Sequence, residues 1–199
     1  MSSRRRLLGV CTLSLWLSGC ALLGSGTAPL DTYALSAPRT VEGARRSRVQ
    51  VLIAEPSALK ALDSERIVIS PEPGAIEYLS GAQWADRLPR VIQSRLAEGF
   101  QASGRFGGVG KPGEGLAIDY QIVTEIRHFQ IDASGGANAR VELYVRLLND
   151  RTGVVRASRT FTAGAPLVGT LGNEAYVAAL DAAFQKVGSE IVSWAASAI

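Results

Sequence analysis

His128 is the only imidazole in the chain of 199 residues, and it is the natural place to look for chemistry. Arg127 precedes it, and Glu125 and Asp132 straddle it. Paired with a serine it would be the general base of a hydrolase, and with two or three more ligands it would hold zinc. The sequence completes neither arrangement. No Gly-x-Ser-x-Gly elbow presents a nucleophile, and without a second histidine a metal site would rest on carboxylates. Glu72, Glu77 and Glu142 sit in or beside hairpins, and no strand carries two acids at i, i+2 on one face. A glycosidase pair would have to be assembled from distant acids. Gly104-Arg105-Phe106-Gly107-Gly108-Val109-Gly110 lacks the Gly-Lys-Ser/Thr ending of a phosphate loop and follows a helical pattern, so it reads as a mobile loop. The expectation is a non-enzyme with no catalytic residue, no cofactor and no metal.

The two cysteines point elsewhere. Arg4-Arg5-Arg6 form a basic start, and Leu7–Leu17 is an apolar run. At about 11 residues it is too short to span a bilayer, which takes about 20, but it fits a secretory signal. The run ends in Leu17-Ser18-Gly19-Cys20, which resembles the bacterial lipobox. Residues 1–19 are then a signal peptide, and Cys20 is the lipid attachment site of a membrane-anchored chain. Cys11 leaves with the signal and Cys20 is acylated, so thiolate catalysis, disulfides and thiolate metal sites fall away. Ala21, in place of Asp, favours the outer membrane of a Gram-negative cell. Residues 20–29 read as a lipidated tether whose span as a flexible coil is roughly 15–18 Å.

The 21 Lys+Arg and 18 Asp+Glu give a net charge of +3. The three arginines of the signal account for that excess, so the mature chain is near neutral. Nothing in it supports capture of a phosphate backbone, and no nucleic-acid partner is expected.

Residues 30–199 read as one domain. Strands are expected at 30–35 and 49–53, the second nearly all apolar and central. The three arginines 45, 46 and 48 fall on or beside the loop between them. A helical turn is expected over Ser57–Asp63. Arg66–Ser70 and Ala75–Leu79 flank Pro71-Glu72-Pro73-Gly74 as a hairpin. A helix is expected over Gln83–Ser103, with Trp84, Leu88, Val91, Ile92, Leu96 and Phe100 on one face, a kink or a restart at Pro89 and a stop at Gly104. Leu116–Ala133 reads as a long strand with a bulge or a change of face near His128, because Ile126 and Phe129 differ in parity. Val141–Leu148 alternates, and Asn149–Gly153 turns the chain into Val154–Ala163. A last helix over Asn173–Ser197 carries Val177, Leu180, Phe184, Val187, Ile191 and Trp194 at 3-and-4 spacing. The fold class is α+β: a single mixed, largely antiparallel sheet with two long amphipathic helices packed on it.

These residues also resemble a family. A lipobox followed by Tyr33-Ala34-Leu35 is similar to the opening of the ABC-type transport auxiliary lipoproteins. So is the hairpin Arg66-Ile67-Val68-Ile69 with Ile76-Glu77-Tyr78-Leu79, running into Gln83-Trp84-Ala85-Asp86-Arg87-Leu88-Pro89, and so is the helix end Leu96–Phe106. The resemblance covers nearly all of the mature chain. It implies a non-catalytic component of an envelope-spanning transport system for lipids or other hydrophobic compounds. The companions it implies are a periplasm-spanning MCE-domain protein and an inner-membrane ABC permease and ATPase, with this chain docking the conduit at the outer membrane. The alternative is a periplasmic carrier with a lipid ligand in a pocket between sheet and helices; a homo-oligomer is left open. Only Cys20 is carried over as a functional residue.

Overall fold

A computed structural model describes residues 29–39, 48–134, 136–168 and 172–199. Cys20, Ala21, Arg45 and Arg46 lie outside the described residues. The elements are β1 (Asp31–Tyr33), β2 (Gln50–Ile53), β3 (Ser57–Ala58), β4 (Arg66–Ser70), β5 (Glu77–Trp84), α1 (Leu88–Ala102), β6 (Gly108–Gly110), β7 (Tyr120–Asp132), β8 (Asn138–Asn149), β9 (Val155–Pro166) and α2 (Asn173–Ala198).

The long strand β7 organises the sheet. On one side it pairs with β8 along its whole length, and β8 pairs with β9, both antiparallel. On its other side β2, β3 and β4 lie end to end, all parallel to β7, opposite Tyr120–Ile122, Glu125–Ile126 and Gln130–Asp132. Outside them, β6 pairs with β2, β5 with β4, and β1 with β5. The sheet is mixed, and its longest ladders are antiparallel.

One face is buried under the two helices. Ile122, Ile126, Phe129 and Ile131 of β7, Val141, Leu143, Val145 and Leu147 of β8, and Phe161 of β9 supply the sheet side. Ile92, Leu96 and Phe100 of α1 and Leu180, Phe184, Val187 and Ile191 of α2 supply the other. Trp84 meets Phe129 edge-on at 5.8 Å, and Phe129 meets Phe184 at 6.2 Å, so an aromatic chain crosses the layer from β5 to α2. The bulge between Ile126 and His128 lets both Ile126 and Phe129 point inward.

Four expectations need correction. Trp84 is in a strand, not a helix, because α1 starts at Leu88 with Pro89 in its first turn. A proline there lacks only an N–H that the helix cannot use, so Pro89 starts the helix and kinks nothing. Ser57–Ala58 is a short strand, and a single turn follows in which Leu59 O accepts from Leu62 and Asp63 N–H. The first strand ends at Tyr33, two residues short of the end of the expected run. Finally, Gly108–Gly110 is a strand and not loop. Gly107 allows it, since a Cβ there would meet the Arg48 backbone, with Cα at 3.0 Å. Gly104, at φ +63°, ends α1 as expected. No helix of the described residues is long and apolar enough to cross a membrane.

Candidate docking surfaces

The open face of the sheet receives the residues that seemed able to do chemistry, and engages them with one another. His128 sits at the bulge of β7 opposite Glu142 of β8. Glu142 accepts a hydrogen bond from Arg140 Nη2 at 3.1 Å, and Glu125 accepts one from Arg127 Nε at 3.2 Å. The Arg127 guanidinium also lies over the Tyr144 ring, 4.5 Å from its centre. Asp132 accepts from Gln130 Nε2. The hydrogen-bonded pairs lie within one strand and the Arg127–Tyr144 contact crosses to β8, all on a solvated face. Among the described residues no three His, Cys, Asp or Glu side chains gather as a metal ion requires.

A strap leads from β1 across the helices. After Tyr33 the chain runs over both, Leu35 is 2% exposed, and Pro38 lies against Gly99 of α1 and Gly188 of α2. A polar stripe of α2 holds it. Asp181 Oδ1 accepts from Ser36 N at 2.7 Å, and Gln185 accepts from Arg39 N at 3.0 Å while donating to Ser36 O at 2.8 Å. Ser189 Oγ donates to Arg39 O at 2.6 Å. Spacing of four residues places these three side chains on one line along the helix. Sequence reasoning passed over both features. Glycine inside a helix costs about 1 kcal/mol against alanine, so Gly99 and Gly188 were the available sign of a close approach.

The run Asp86-Arg87-Leu88-Pro89 has a structural role here. Arg87 Nε donates to Asp63 Oδ1 at 2.8 Å and Nη1 to Glu55 at 3.2 Å, while Leu88 N–H donates to Ser64 O. Asp63, through its hydrogen bond, holds the Arg87 guanidinium above its ordinary pKa. The start of α1 is thereby fastened to the turn between β3 and β4, which displays Leu59 at 77% exposure.

Exposed apolar side chains collect at the two ends of the sheet. At the end where β7 finishes, Ala133 N–H donates to Ser70 O, which brings the β4–β5 turn beside the β7–β8 turn. That end carries Ile76 and, just past β9, Val168. Leu30 precedes β1, which runs antiparallel to β7, so the chain upstream arrives from this same end. At the opposite end Asp119 O accepts from Asp150 N–H, and Leu116, Val154 and Val155 are exposed beside Lys111 and Arg151. Asp119 there accepts from Gln50 N–H at 3.0 Å and from Arg151. Those bonds, the backbone one first, hold its carboxyl below the usual range against the opposing effect of burial.

Two shallow grooves flank the outer side of α2. One, of about 600 Å³, lies between the strap and the helix at Arg39, Asp181, Gln185 and Lys186. The other, of about 580 Å³, lies between α2 and β9 at Arg159, Glu190 and Trp194. Both open to solvent outside the helix, whereas the layer between helices and sheet is filled by Trp84, Phe100, Phe129, Phe161 and Phe184.

The chain belongs to the ABC-type transport auxiliary lipoprotein component family, whose model matches residues 33–192. A crystal structure of a Xanthomonas campestris protein is similar at 31% identity and a TM-score of 0.76, over 84% of this chain and 95% of that one. A second solved structure, of an uncharacterised protein, shares the fold at a TM-score of 0.68 and 12% identity, over 84% of this chain and 99% of that one. An uncharacterised protein of Bradyrhizobium diazoefficiens is 30% identical over 195 residues, which is 92% of this chain and 50% of that protein. The chain thus spans about half the length of that curated relative.

Proposed function

We propose that this chain is a non-catalytic lipoprotein held on the periplasmic face of the outer membrane, where it docks the periplasmic conduit of an ABC/MCE-type intermembrane transport system for lipids or other hydrophobic compounds. Residues 1–19 are its signal peptide, Cys20 is its acylation site, residues 20–29 are its tether and residues 30–199 form its single working domain. Multiple acyl chains, each CH₂ worth about 0.8 kcal/mol, anchor it durably. Ala21 directs it outward. The energy for transport comes from the ATPase of the partner complex, and the conduit is an MCE-domain protein.

The observation that carries this reading is the match to the transport auxiliary family over 33–192, on a domain whose open sheet face engages Arg127 with Glu125 and Arg140 with Glu142. The filled layer between sheet and helices counts against a carrier with its lipid held there. The test is a detergent-solubilised pull-down of the intact lipoprotein with mass spectrometry for proteins and lipids. Recovery of an MCE-domain protein or its ABC subunits is the expected result. Recovery of one stoichiometric lipid with no protein partner would replace the adaptor with a carrier.

A further inference from the structure

We propose that the end of the sheet carrying Leu30, Ile76 and Val168 rests on the lipid surface that holds the tether, and that the surface it suits is zwitterionic. This rests on the anchor reading above and adds to it an orientation.

The chain's point of arrival decides which end faces the membrane. Asp31 lies beside Ala82 of β5, and β5 pairs with β4 so that Ala82 stands near the level of Ile67. From there to the end of β4 is about three strand residues, or roughly 10 Å. A tether of about ten residues has a coil span of roughly 15–18 Å, so it reaches a membrane plane at this end without stretching. Along β7 the same level corresponds to Phe129, and the strand starts at Tyr120. The opposite end is therefore roughly 30 Å away, against a fully extended tether of roughly 33–36 Å. Laying that end on the membrane would require an almost straight tether.

The surface itself fits a plane. Ile76 is 56%, Val168 80% and Leu30 46% exposed, and they stand on the β4–β5 turn, past the end of β9 and before β1. With neighbouring strands about 4.8 Å apart, they are spread along the rim of the sheet and do not form one compact patch. A flat apolar boundary meets such points together; a protein knob or groove would meet one of them. Among the described residues Glu72, Glu77 and Asp132 stand at or beside this rim, and their charge opposes an anionic surface. At the far end Lys111 and Arg151 stand among Glu114, Asp119 and Asp150, and Arg151 is paired with Asp119.

The test places an environment-sensitive fluorophore on Ile76→Cys, Val168→Cys and, as the control for the far end, Val154→Cys in the full lipidated chain. The chains are reconstituted into vesicles rich in phosphatidylethanolamine that carry a headgroup nitroxide lipid. The expected result is quenching at positions 76 and 168 and none at 154, with quenching reduced when phosphatidylglycerol is raised. Retention in the vesicle pellet with quenching at 154 alone, or at none of the three, overturns the orientation and leaves the anchor standing. Loss of the chain from the pellet overturns both. Stronger quenching at 76 and 168 with more phosphatidylglycerol overturns the choice of a zwitterionic surface.

Discussion

Replacing Gly188 by alanine tests whether the strap is a built part of the domain. In an exposed helix interior this change stabilises by about 1 kcal/mol. Here the new Cβ would sit inside the van der Waals radius of the Pro38 ring, with ring Cβ at 2.9 Å and a closer contact at Cγ. Pro38 has little room to retreat. Four hydrogen bonds from α2 hold the backbone on either side of it, and Leu35 is buried three residues before it. Overpacking of this kind costs about 1–3 kcal/mol, so the expected net effect is a loss of up to about 2 kcal/mol. Gly99→Ala is the internal control, because its Cβ would meet the same ring at 3.1–3.3 Å, a distance that a small shift relieves. Its expected effect is close to zero. Urea unfolding followed by tryptophan fluorescence gives both values, and hydrogen exchange at Ser36 and Arg39 N–H shows whether the loss is local to the strap. In the Pro38→Ala background, which removes ring Cγ and keeps Cβ, the penalty of Gly188→Ala should shrink. If Gly188→Ala stabilised the chain by about 1 kcal/mol with Pro38 in place, the packing of the strap against α2 would be refuted.

Phe184 of α2, fully buried against Phe129 of the sheet, should cost about 3–5 kcal/mol when cut to alanine, read from denaturant unfolding. Asp119 has a folded-state pKa below its unfolded one, so its contribution is present above the ordinary carboxylate range and is lost as pH falls through the lowered value. The stability gap between the wild type and Asp119→Asn should therefore be wider at neutral pH than in acid, and a gap unchanged across that interval would remove the assigned role of Gln50 N–H and Arg151. Cys20→Ala should release the chain from membranes while leaving its thermal midpoint unchanged, as measured by fractionation and circular dichroism; a variant that stayed in the membrane pellet would end the lipobox reading.

The parts of this fold that were legible in sequence are those whose local pattern and tertiary role coincide. Val141, Leu143, Val145 and Leu147 alternate because one face of β8 is buried and the other wet, and Pro71-Glu72-Pro73-Gly74 can only turn. The change of parity between Ile126 and Phe129 announced the bulge that the ladder contains. The errors arose where two periods overlap. Trp84 and Leu88 are four residues apart and mimic a helix face, yet Trp84 belongs to β5 and only Pro89 marked the true start. Strands β3 and β6, of two and three residues, have no signature of their own, because their pairing is imposed by β7 and β2. The alignment of β2, β3 and β4 along one edge of β7 was equally hidden, since parallel contacts between distant segments leave no local trace. The strap was invisible for a related reason: its partners are 145 to 150 residues away.

The strap and the short strand before it acquire a purpose under the anchor reading. Any load on the tether reaches the domain first at β1, whose three residues pair in parallel with β5. A load applied along the strand axis would shear the β1 ladder as a whole and would not peel it bond by bond. What lies behind β1 is not a free loop. It is a segment whose Leu35 is buried, whose Pro38 is wedged between two helices and whose backbone is held by Asp181, Gln185 and Ser189. The grip therefore passes from the edge of the sheet to the longest helix, α2, which itself covers β8 and β9. A domain that only bound a soluble ligand would gain little from fastening its first ten residues so far from their neighbours in sequence. A domain that holds a conduit against a membrane needs its anchor tied to its core, and glycine at 99 and 188 is the feature of both helices that makes the tie possible.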